Sequence, residues 1–248
     1  MIRIGTAGWS IPGDAAAAFS GAGRHLSRYA QVLRCVEINS SFSRPHRRAV
    51  YERWARETSA GFEFCVKLPK SISHDARLRG VQVQLDEFVS QIGGLGDKLA
   101  AVLVQLPPSF AYDAETTRDF FRRLADTFGG AMVCEPRHAS WFSEEADQAL
   151  TALRVSRAAA DPARHAGADR PGGWLKRLPG ERTGLHYHRW HGSPRMYWSR
   201  YPPDWIAEQA AHLAAHAPVD PWCVFDNTAS GAAIHNALEL KDCLLRAR

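Results

Sequence analysis

Short strand-like segments recur at regular intervals along the chain, and their spacing constrains the fold more than any single motif does. In Phe62–Lys67, apolar residues alternate with Glu63, Cys65 and Lys67, as expected for a strand with two different faces. Eight such segments occur in 248 residues, or about 31 residues for each. They are Ile2–Thr6, Cys35–Asn39, Phe62–Lys67, Val102–Leu106, Met132–Pro136, Val155–Ala160, Gly184–Arg189 and Trp222–Asp226.

Helical periodicity fills most of the intervals between these segments. Ser143 precedes a run that begins with two glutamates, which is typical of a capped helix start. The connection Asp161–Trp174 is rich in glycine and proline, and it predicts no clear helix. The helical stretches are Arg47–Thr58, Val83–Gly94, Glu115–Phe128, Glu144–Leu153, Pro203–His216 and Ala232–Arg246.

This alternation predicts an α/β fold, namely a (β/α)8 TIM-type barrel in which residues 1–248 form a single domain. The alternative is an open doubly wound sheet, which usually carries a glycine-rich phosphate loop after its first strand. The first strand instead runs into GTAGWS, which is not a GxGxxG pattern. The barrel is therefore the favoured architecture.

The composition is that of an ordinary soluble protein, with 45% hydrophobic and 23% charged residues. No apolar run approaches the ~18 residues that span a bilayer, and no basic and apolar leader precedes the first strand. We therefore expect a cytoplasmic protein without a membrane partner. The five cysteines form no CxxC pair, so neither a disulfide framework nor a zinc ribbon is expected.

The chain is basic, with a formal net charge of +5, and only five of its 31 basic residues are lysine. This bias reflects either genomic composition or an affinity for anions such as phosphate or nucleic acid. No dense block of lysine and arginine is present, so the charge pattern does not support non-specific binding of nucleic acid.

Six predicted strands end in a polar residue on the same face. Alternate residues of a barrel strand face the interior, and barrel active sites lie at the carboxyl ends of the strands. This parity directs six side chains into one mouth of the barrel, where they form either a functional ring or a satisfied interior salt-bridge layer. The six are Glu37, Lys67, Gln105, Glu135, Arg189 and Asp226.

Further candidate binding residues lie at the same strand ends or in the loops that follow them. Arg44, Lys67, Arg137 and Arg189 carry the charges needed to clamp a phosphate or a carboxylate. The candidate substrate-binding residues are Asn39, Arg44, His74, Gln105, Arg137, His138, Trp141, Arg189, His191 and Asn227.

The candidate catalytic residues are Glu135, Glu37, Lys67 and Asp226. Carboxylates whose pKa values are split by their neighbours can supply an acid and a base. We expect Glu135 to be the principal acid–base group, with Arg137 orienting the substrate or holding Glu135 ionised; the alternative is a structural pair. A Schiff base on Lys67 would require a lowered pKa, and we expect the nearby carboxylates to raise it.

Metal binding is a second possibility at this mouth. Histidines beside carboxylates bind zinc or manganese in many proteins, and His74, His138 and His191 have that placement. His186 and His188 have the outward parity, and the lysine and arginines of the ring oppose a divalent cation. No cofactor is predicted, and zinc or manganese remains a minority alternative.

Several segments together resemble the DUF72 (YecE-like) family, and they extend over nearly the whole chain. The resemblance implies a TIM-type barrel without an established activity, so it bears on the fold more than on the function. The segments are VEINSSFSR, FEFCVKLPKSISHDARL, LVQLPPSF, EPRHASWF, RWHG and FDNTASGAAIHNALEL.

The sequence therefore predicts a hydrolase or isomerase-like enzyme that applies general acid–base chemistry to a small anionic or sugar-like substrate. Two alternatives stay open. One is a metal-assisted phosphodiester hydrolase that acts on nucleic acid. The other is a protein that binds an anion or another ligand without catalysis.

Overall fold

Parallel strands form two sheets in a computed structural model, which describes residues 2–176, 184–216 and 221–246. The strands are β1 Arg3–Thr6, β2 Cys35–Ile38, β3 Glu63–Lys67, β4 Leu99–Gln105, β5 Ala131–Glu135, β6 Val155–Arg157, β7 Ala159–Asp161, β8 Gly172–Gly173, β9 Tyr187–Trp190 and β10 Trp222–Phe225. Within the described residues, β1, β10, β9 and β7 form one sheet in that order, and β2, β3, β4, β5, β6 and β8 form the other. All neighbours pair in parallel except β6 and β8.

Helices occupy most of the connections between parallel strands. Asp113 caps the helix Ala114–Thr127 by accepting a hydrogen bond from the Thr116 backbone amide at 2.8 Å. Ser143 caps the helix Glu144–Ala152 by accepting from the Ala146 amide at 3.2 Å, which confirms the predicted helix start. The helices are α1 His25–Val32, α2 Ser40–Ser43, α3 Arg48–Glu57, α4 Gln82–Ile92, α5 Ala114–Thr127, α6 Glu144–Ala152, α7 Pro203–His216 and α8 Ala232–Arg246. No helix in the described part of the chain is long and apolar enough to cross a membrane.

The two sheets are connected at two places, one near Glu37 and one in the segment 155–161. Ala7 forms a parallel bridge with Glu37, and the Gly8 amide donates to the Glu37 carbonyl at 2.8 Å. In addition, the segment 155–161 supplies β6 to one sheet and β7 to the other. The predicted strand Val155–Ala160 is therefore two short strands, which meet at Ala158.

Alternate strand residues belong to two separate apolar clusters. Cys65, Leu103 and Val224 pack in a cluster drawn from both sheets, whereas Phe64 and Val102 pack with the helices. The predicted parity of the strands is thereby confirmed, because neighbouring residues point to opposite faces. The five cysteines are free thiols.

Most predicted elements agree with the structure to within a few residues. Asp161–Trp174 contains no helix, as predicted, and it includes the short strand β8. The predicted strand Gly184–Arg189 corresponds to β9, which begins three residues later and ends at Trp190. The helices α1 and α2 were not predicted, although Leu26, Tyr29 and Ala30 of α1 have helical spacing and are buried; α2 has only four residues, too few to show a helical repeat.

Gly5 lies where strand β1 passes close to Cys35 on β2. A Cβ atom added there would overlap the Cys35 backbone carbonyl and lie 2.8 Å from the Cys35 Sγ. Because backbone cannot move aside as a flexible side chain can, we expect Gly5→Ala to lower the free energy of unfolding by about 1–3 kcal/mol. Urea denaturation measures this change. Gly13→Ala is the control, because nothing lies within 4 Å of its added Cβ, and equal stabilities of the two variants would contradict the close approach.

Candidate functional site

A buried arginine lies at the centre of the polar side chains. Arg189, on β9, is 0% exposed. Its Nε and Nη2 donate to Glu37 at 2.9 and 2.6 Å. Its Nη2 also donates to Asp226 at 3.0 Å, and its Nη1 donates to Glu135. One guanidinium group therefore joins three carboxylates from β2, β5 and the end of β10.

Strand register explains why these residues meet. Arg189 is opposite Val224 on β10 and Ala160 on β7. Glu37 bridges to Ala7, directly after β1. Charged side chains that share the inward parity therefore converge at the carboxyl ends of parallel strands, as predicted. Tyr187 lies two residues before Arg189 on the same face of β9, and its hydroxyl donates to Glu37 Oε2 at 2.9 Å.

His191 links two of the carboxylates. Its Nδ1 lies 3.0 Å from Asp226 Oδ2, and its Nε2 lies 3.0 Å from Glu135 Oε1. Each ring nitrogen needs a proton to donate, so a neutral ring can satisfy only one carboxylate at a time. A proton on a neutral His191 ring can therefore lie either on Nδ1, facing Asp226, or on Nε2, facing Glu135.

Arg137 is a second cation on Glu135. Its Nη2 and Nε donate to Glu135 Oε1 at 3.0 and 3.2 Å, and its Nη1 donates to the Tyr197 hydroxyl at 2.7 Å. Tyr197 is 39% exposed and has a left-handed φ of 66°, a costly conformation for a bulky residue. Tyr197 could not be identified from the sequence, because such a conformation is set by tertiary contacts.

Glu135 and Asp226 are held ionised. Burial alone would raise the pKa of Glu135, but the charges of Arg189, Arg137 and His191 outweigh it and hold that pKa well below its usual range. Burial likewise opposes ionisation of Asp226, whereas Arg189 and the hydrogen bond to His191 lower its pKa. Both pKa values move downward, so these two carboxylates are not split into an acid and a base.

Lys67 is the buried cation without a carboxylate partner. Its side chain ends strand β3 and is 8% exposed. Among the described residues, its Nζ makes no hydrogen bond or ion pair, and it lies 4.3 Å from the centre of the Phe42 ring. Burial and the charge of Arg189 lower the pKa of Lys67, although Glu37, Glu135 and Asp226 raise it. The expected net rise was wrong, because Arg189 and burial outweigh the carboxylates.

Three other predicted residues lie around this centre. Asn39 Nδ2 donates to Asp226 Oδ1 at 3.2 Å. Gln105 is buried beside Glu135 in register, and its amide donates to the Leu106 carbonyl at 3.1 Å. His74 packs edge-on against Phe42, with ring centres 5.0 Å apart. Burial, then the charge of Lys67, lowers the pKa of His74, and Arg137 adds to this effect.

Among the described residues, four predicted binding residues make no hydrogen bond or ion pair with Arg189 or with its three carboxylates. Arg44 is exposed. The His138 ring accepts from the Ser140 amide and caps the turn Ala139–Phe142. Trp141 is 0% exposed and donates to the Phe110 carbonyl at 2.9 Å. Asn227 is buried, and its amide donates to the Ser199 carbonyl and to Asn236.

The donor set at the centre does not resemble a metal site. Within residues 2–176, 184–216 and 221–246, no group of three or more His, Cys, Asp or Glu side chains is arranged to hold a metal ion. The Arg189 guanidinium instead lies among the three carboxylates, and its positive charge opposes a divalent cation there. His188 lies between Tyr187 and Arg189 on β9 and so points to the opposite face.

A cleft opens beside Glu135, Arg137 and His191. Its wall is completed by residues from the connections after β5, β7 and β9, including Phe142, Arg164, His165 and Met196. The His165 ring lies 3.2 Å from the Arg137 carbonyl. The cleft has a volume of about 20 Å³, which is room for about one water molecule beside Glu135 and His191.

The chain is similar to several known proteins. It is 30% identical to the UPF0759 protein YecE of Escherichia coli (strain K12) over 152 residues, which cover 60% of this chain and 54% of YecE. The chain thus spans about half the length of the curated relatives it matches. The crystal structure of a DUF72 family protein from Thermotoga maritima superposes with a TM-score of 0.77 at 22% identity, covering 99% of both chains.

A second DUF72 family protein, from Enterococcus faecalis, superposes with a TM-score of 0.77 at 19% identity, covering 99% of this chain and 96% of that one. At such identities the likeness concerns the fold. The family model described as a protein of unknown function, DUF72, matches residues 3–248. The resemblance found in the motifs is confirmed over nearly the whole sequence, and the chain belongs to the DUF72 family.

Proposed function

We propose that this protein is a hydrolase or isomerase-like enzyme that acts by acid–base chemistry on a small anionic or sugar-like substrate. The anionic group of the substrate is held by Lys67 and Arg137. The observation that carries the proposal is Lys67, a buried amine without a carboxylate partner in a cluster whose carboxylates are bound to Arg189.

The distribution of charge supports an anion as the ligand. Glu37, Glu135 and Asp226 are engaged by Arg189. Lys67 ends β3 and Arg137 follows the end of β5, so both cations lie at the carboxyl ends of strands in the same sheet. An anion there would give Lys67 a hydrogen-bond acceptor. Arg137 already donates to Glu135 and Tyr197, so it would add its charge and one remaining N–H group.

The position of His191 supports proton transfer. Glu135 and Asp226 stay ionised, so in this proposal they orient His191 and do not themselves donate a proton. His191 and Glu135 both line the cleft. In this proposal a substrate group takes the place of Glu135 at Nε2 and exchanges a proton with the ring. Glu37 holds Arg189 in place for this arrangement.

Lys67→Met tests the anion site directly. Methionine keeps the length and apolar character of the stem, so the variant should fold, and it should lose most of the stabilisation that phosphate or sulfate gives. An anion at ~100 times its Kd adds about 2.7 kcal/mol to the unfolding free energy. Thermal unfolding of both proteins with and without anion measures the loss. Lys70→Met is the control, because Lys70 is exposed and pairs with Asp75 at 3.3 Å. Equal stabilisation of Lys67→Met and the wild type would remove Lys67 from the site.

A protein that binds an anion without catalysis is the second candidate. It is favoured by the ion pairs that engage Glu37, Glu135 and Asp226, since none of these carboxylates is then free to act as a base. His191→Asn distinguishes the two functions once a substrate is in hand. A pure binding protein would keep its affinity and show no turnover in either form.

The proposed architecture is a closed (β/α)8 barrel. The bridge between Ala7 and Glu37 and the segment 155–161, which pairs in both sheets, support closure. The apolar cluster that contains Ala7 and Trp222 from one sheet with Cys65 and Leu103 from the other fits a barrel interior. An experimental structure with β1 and β2 separated by other elements would contradict closure.

A further inference from the structure

We propose that Tyr197 determines which ligands reach the candidate site. Its side chain closes the site, and an entering anion opens it by taking the place of the Tyr197 hydroxyl on Arg137. The inference rests on the proposed function for the anion, and it adds the residue that controls entry and the group that the anion displaces.

The site is closed in the structure. Glu135, Arg189 and His191 are buried. The cleft beside Glu135 and His191 has a volume of about 20 Å³, so it holds about one water molecule. A phosphate or a carboxylate group is larger than that, so a side chain must move before such a ligand can reach the cluster.

Tyr197 covers the buried groups on the solvent side. Its ring packs at 80° to the His191 ring, with ring centres 5.4 Å apart, and the Arg137 Cζ lies 5.8 Å from the centre of the Tyr197 ring. The Tyr197 hydroxyl accepts from Arg137 Nη1 at 2.7 Å. Because Tyr197 is exposed whereas His191 is buried, part of the tyrosine side chain faces solvent while another part shields the histidine.

The backbone of Tyr197 is fixed, so the side chain is the part that can move. The Tyr197 amide donates to the His191 carbonyl at 2.5 Å, and the Tyr197 carbonyl accepts from the Ala229 amide at 3.0 Å. Rotation about the Cα–Cβ bond would leave both of these bonds intact. It would break the hydrogen bond to Arg137 and the ring contact with His191. Exposed side chains exchange rotamers readily, so this rotation opens the site without moving the chain.

An anion competes well with the phenol for Arg137. The phenol oxygen is a neutral acceptor, whereas an anionic oxygen adds attraction between full charges to the hydrogen bond. Arg137 Nη1 also contacts Met196 Sδ at 3.9 Å, but a thioether is a weak acceptor, so Nη1 becomes available to the ligand once the phenol leaves. A neutral ligand gains no such attraction. Tyr197 therefore admits anions in preference to neutral molecules of the same size.

Tyr197→Phe tests the displacement. The variant keeps the ring but removes the oxygen that phosphate has to replace on Arg137. We therefore expect it to bind phosphate several-fold more tightly than the wild type, as measured by isothermal titration calorimetry. Equal or weaker binding in Tyr197→Phe would overturn the displacement, because the hydroxyl would then have no effect on the ligand or would help to hold it. Acetamide is the neutral analogue of acetate, and binding of acetamide to the wild type as tight as that of acetate would overturn the preference for anions.

Hydroxyl-radical footprinting tests the closure without any ligand. Removal of the ring in Tyr197→Ala should raise the oxidation rate of His191 several-fold, as measured by peptide mass spectrometry. Trp198→Ala is the control, because Trp198 is an exposed aromatic neighbour whose ring lies against Arg195, and His191 should stay protected in that variant. Equal oxidation of His191 in Tyr197→Ala and in the wild type would overturn the closure.

The two measurements separate this proposal from the proposed function. If phosphate fails to bind the wild type while Tyr197→Ala exposes His191, the anion site is rejected and the closing role of Tyr197 is supported. If phosphate binds the wild type but binds Tyr197→Phe no more tightly, the displacement is rejected and the anion site stands. The calorimetric comparison decides the displacement even if Tyr197→Ala does not fold.

Discussion

Arg189→Met is expected to lower the free energy of unfolding by at least about 3–5 kcal/mol at neutral pH, the typical cost of breaking a buried ion pair on one side. The variant would leave Glu37, Glu135 and Asp226 buried without the guanidinium that joins them. Urea denaturation at pH 7 measures the loss. Arg118→Met is the control, because that exposed arginine pairs with its neighbour Asp119 at 3.4 Å, and such pairs contribute about 0–1 kcal/mol.

The loss in Arg189→Met should become smaller in acid. In the wild type, the lowered pKa values of Glu135 and Asp226 mean that their ionised forms stabilise the fold above the unfolded pKa of about 4. This contribution disappears as the pH falls through the folded pKa values. The variant has a smaller contribution to lose, because Glu135 keeps only Arg137 and His191 as partners and Asp226 loses its arginine, and protonation relieves the uncompensated charge. An equal difference between the two proteins at pH 7 and pH 3 would show that Arg189 acts through packing alone.

Glu135→Gln is expected to cost a similar amount, about 3–5 kcal/mol. Glu135 is 1% exposed and accepts hydrogen bonds from Arg189 and Arg137 while contacting His191. Glutamine keeps the shape, but it removes the charge and turns an amide donor toward these donors. Chemical denaturation of the variant and the wild type measures the cost.

The control for Glu135→Gln is Glu63→Gln. Glu63 also pairs with an arginine, Arg3, but its side chain is 25% exposed, so its loss should be small. A loss of several kcal/mol confined to Glu135→Gln would assign Glu135 to holding the cluster together. Unchanged or increased stability of Glu135→Gln would instead support its predicted role as the acid–base group.

The central charges could be predicted because they lie within strands. Strand parity is a local property with a period of two residues, so Glu37, Lys67 and Glu135 could be assigned to one face from the sequence alone. The ion pairs that these residues form could not be predicted from the sequence. Arg189 and Glu37 are 152 residues apart, and which carboxylates an arginine binds depends on register across several strands. The sequence therefore identified the members of the cluster but not its central residue.

Residues beyond the strand ends were harder to place, because parity ceases where the strand ends. His138 and Trp141 were assigned to the site by proximity to Glu135 in the sequence. The turn Ala139–Phe142 directs Trp141 into the apolar core and uses the His138 ring as a cap. The direction of the pKa shift of Lys67 was also predicted wrongly. It depends on the sum of burial, one arginine and three carboxylates, and this sum requires the positions of these groups in space.

The segment 155–161 has a consequence for how the fold comes apart. Within this segment, β6 pairs with β5 and β7 pairs with β9. Ala158 lies between the two short strands. If this segment detaches, both sheets lose backbone hydrogen-bond partners at the same time. Neither sheet can open to solvent through this edge while the other stays closed, so the two sheets share one cooperative unit of unfolding.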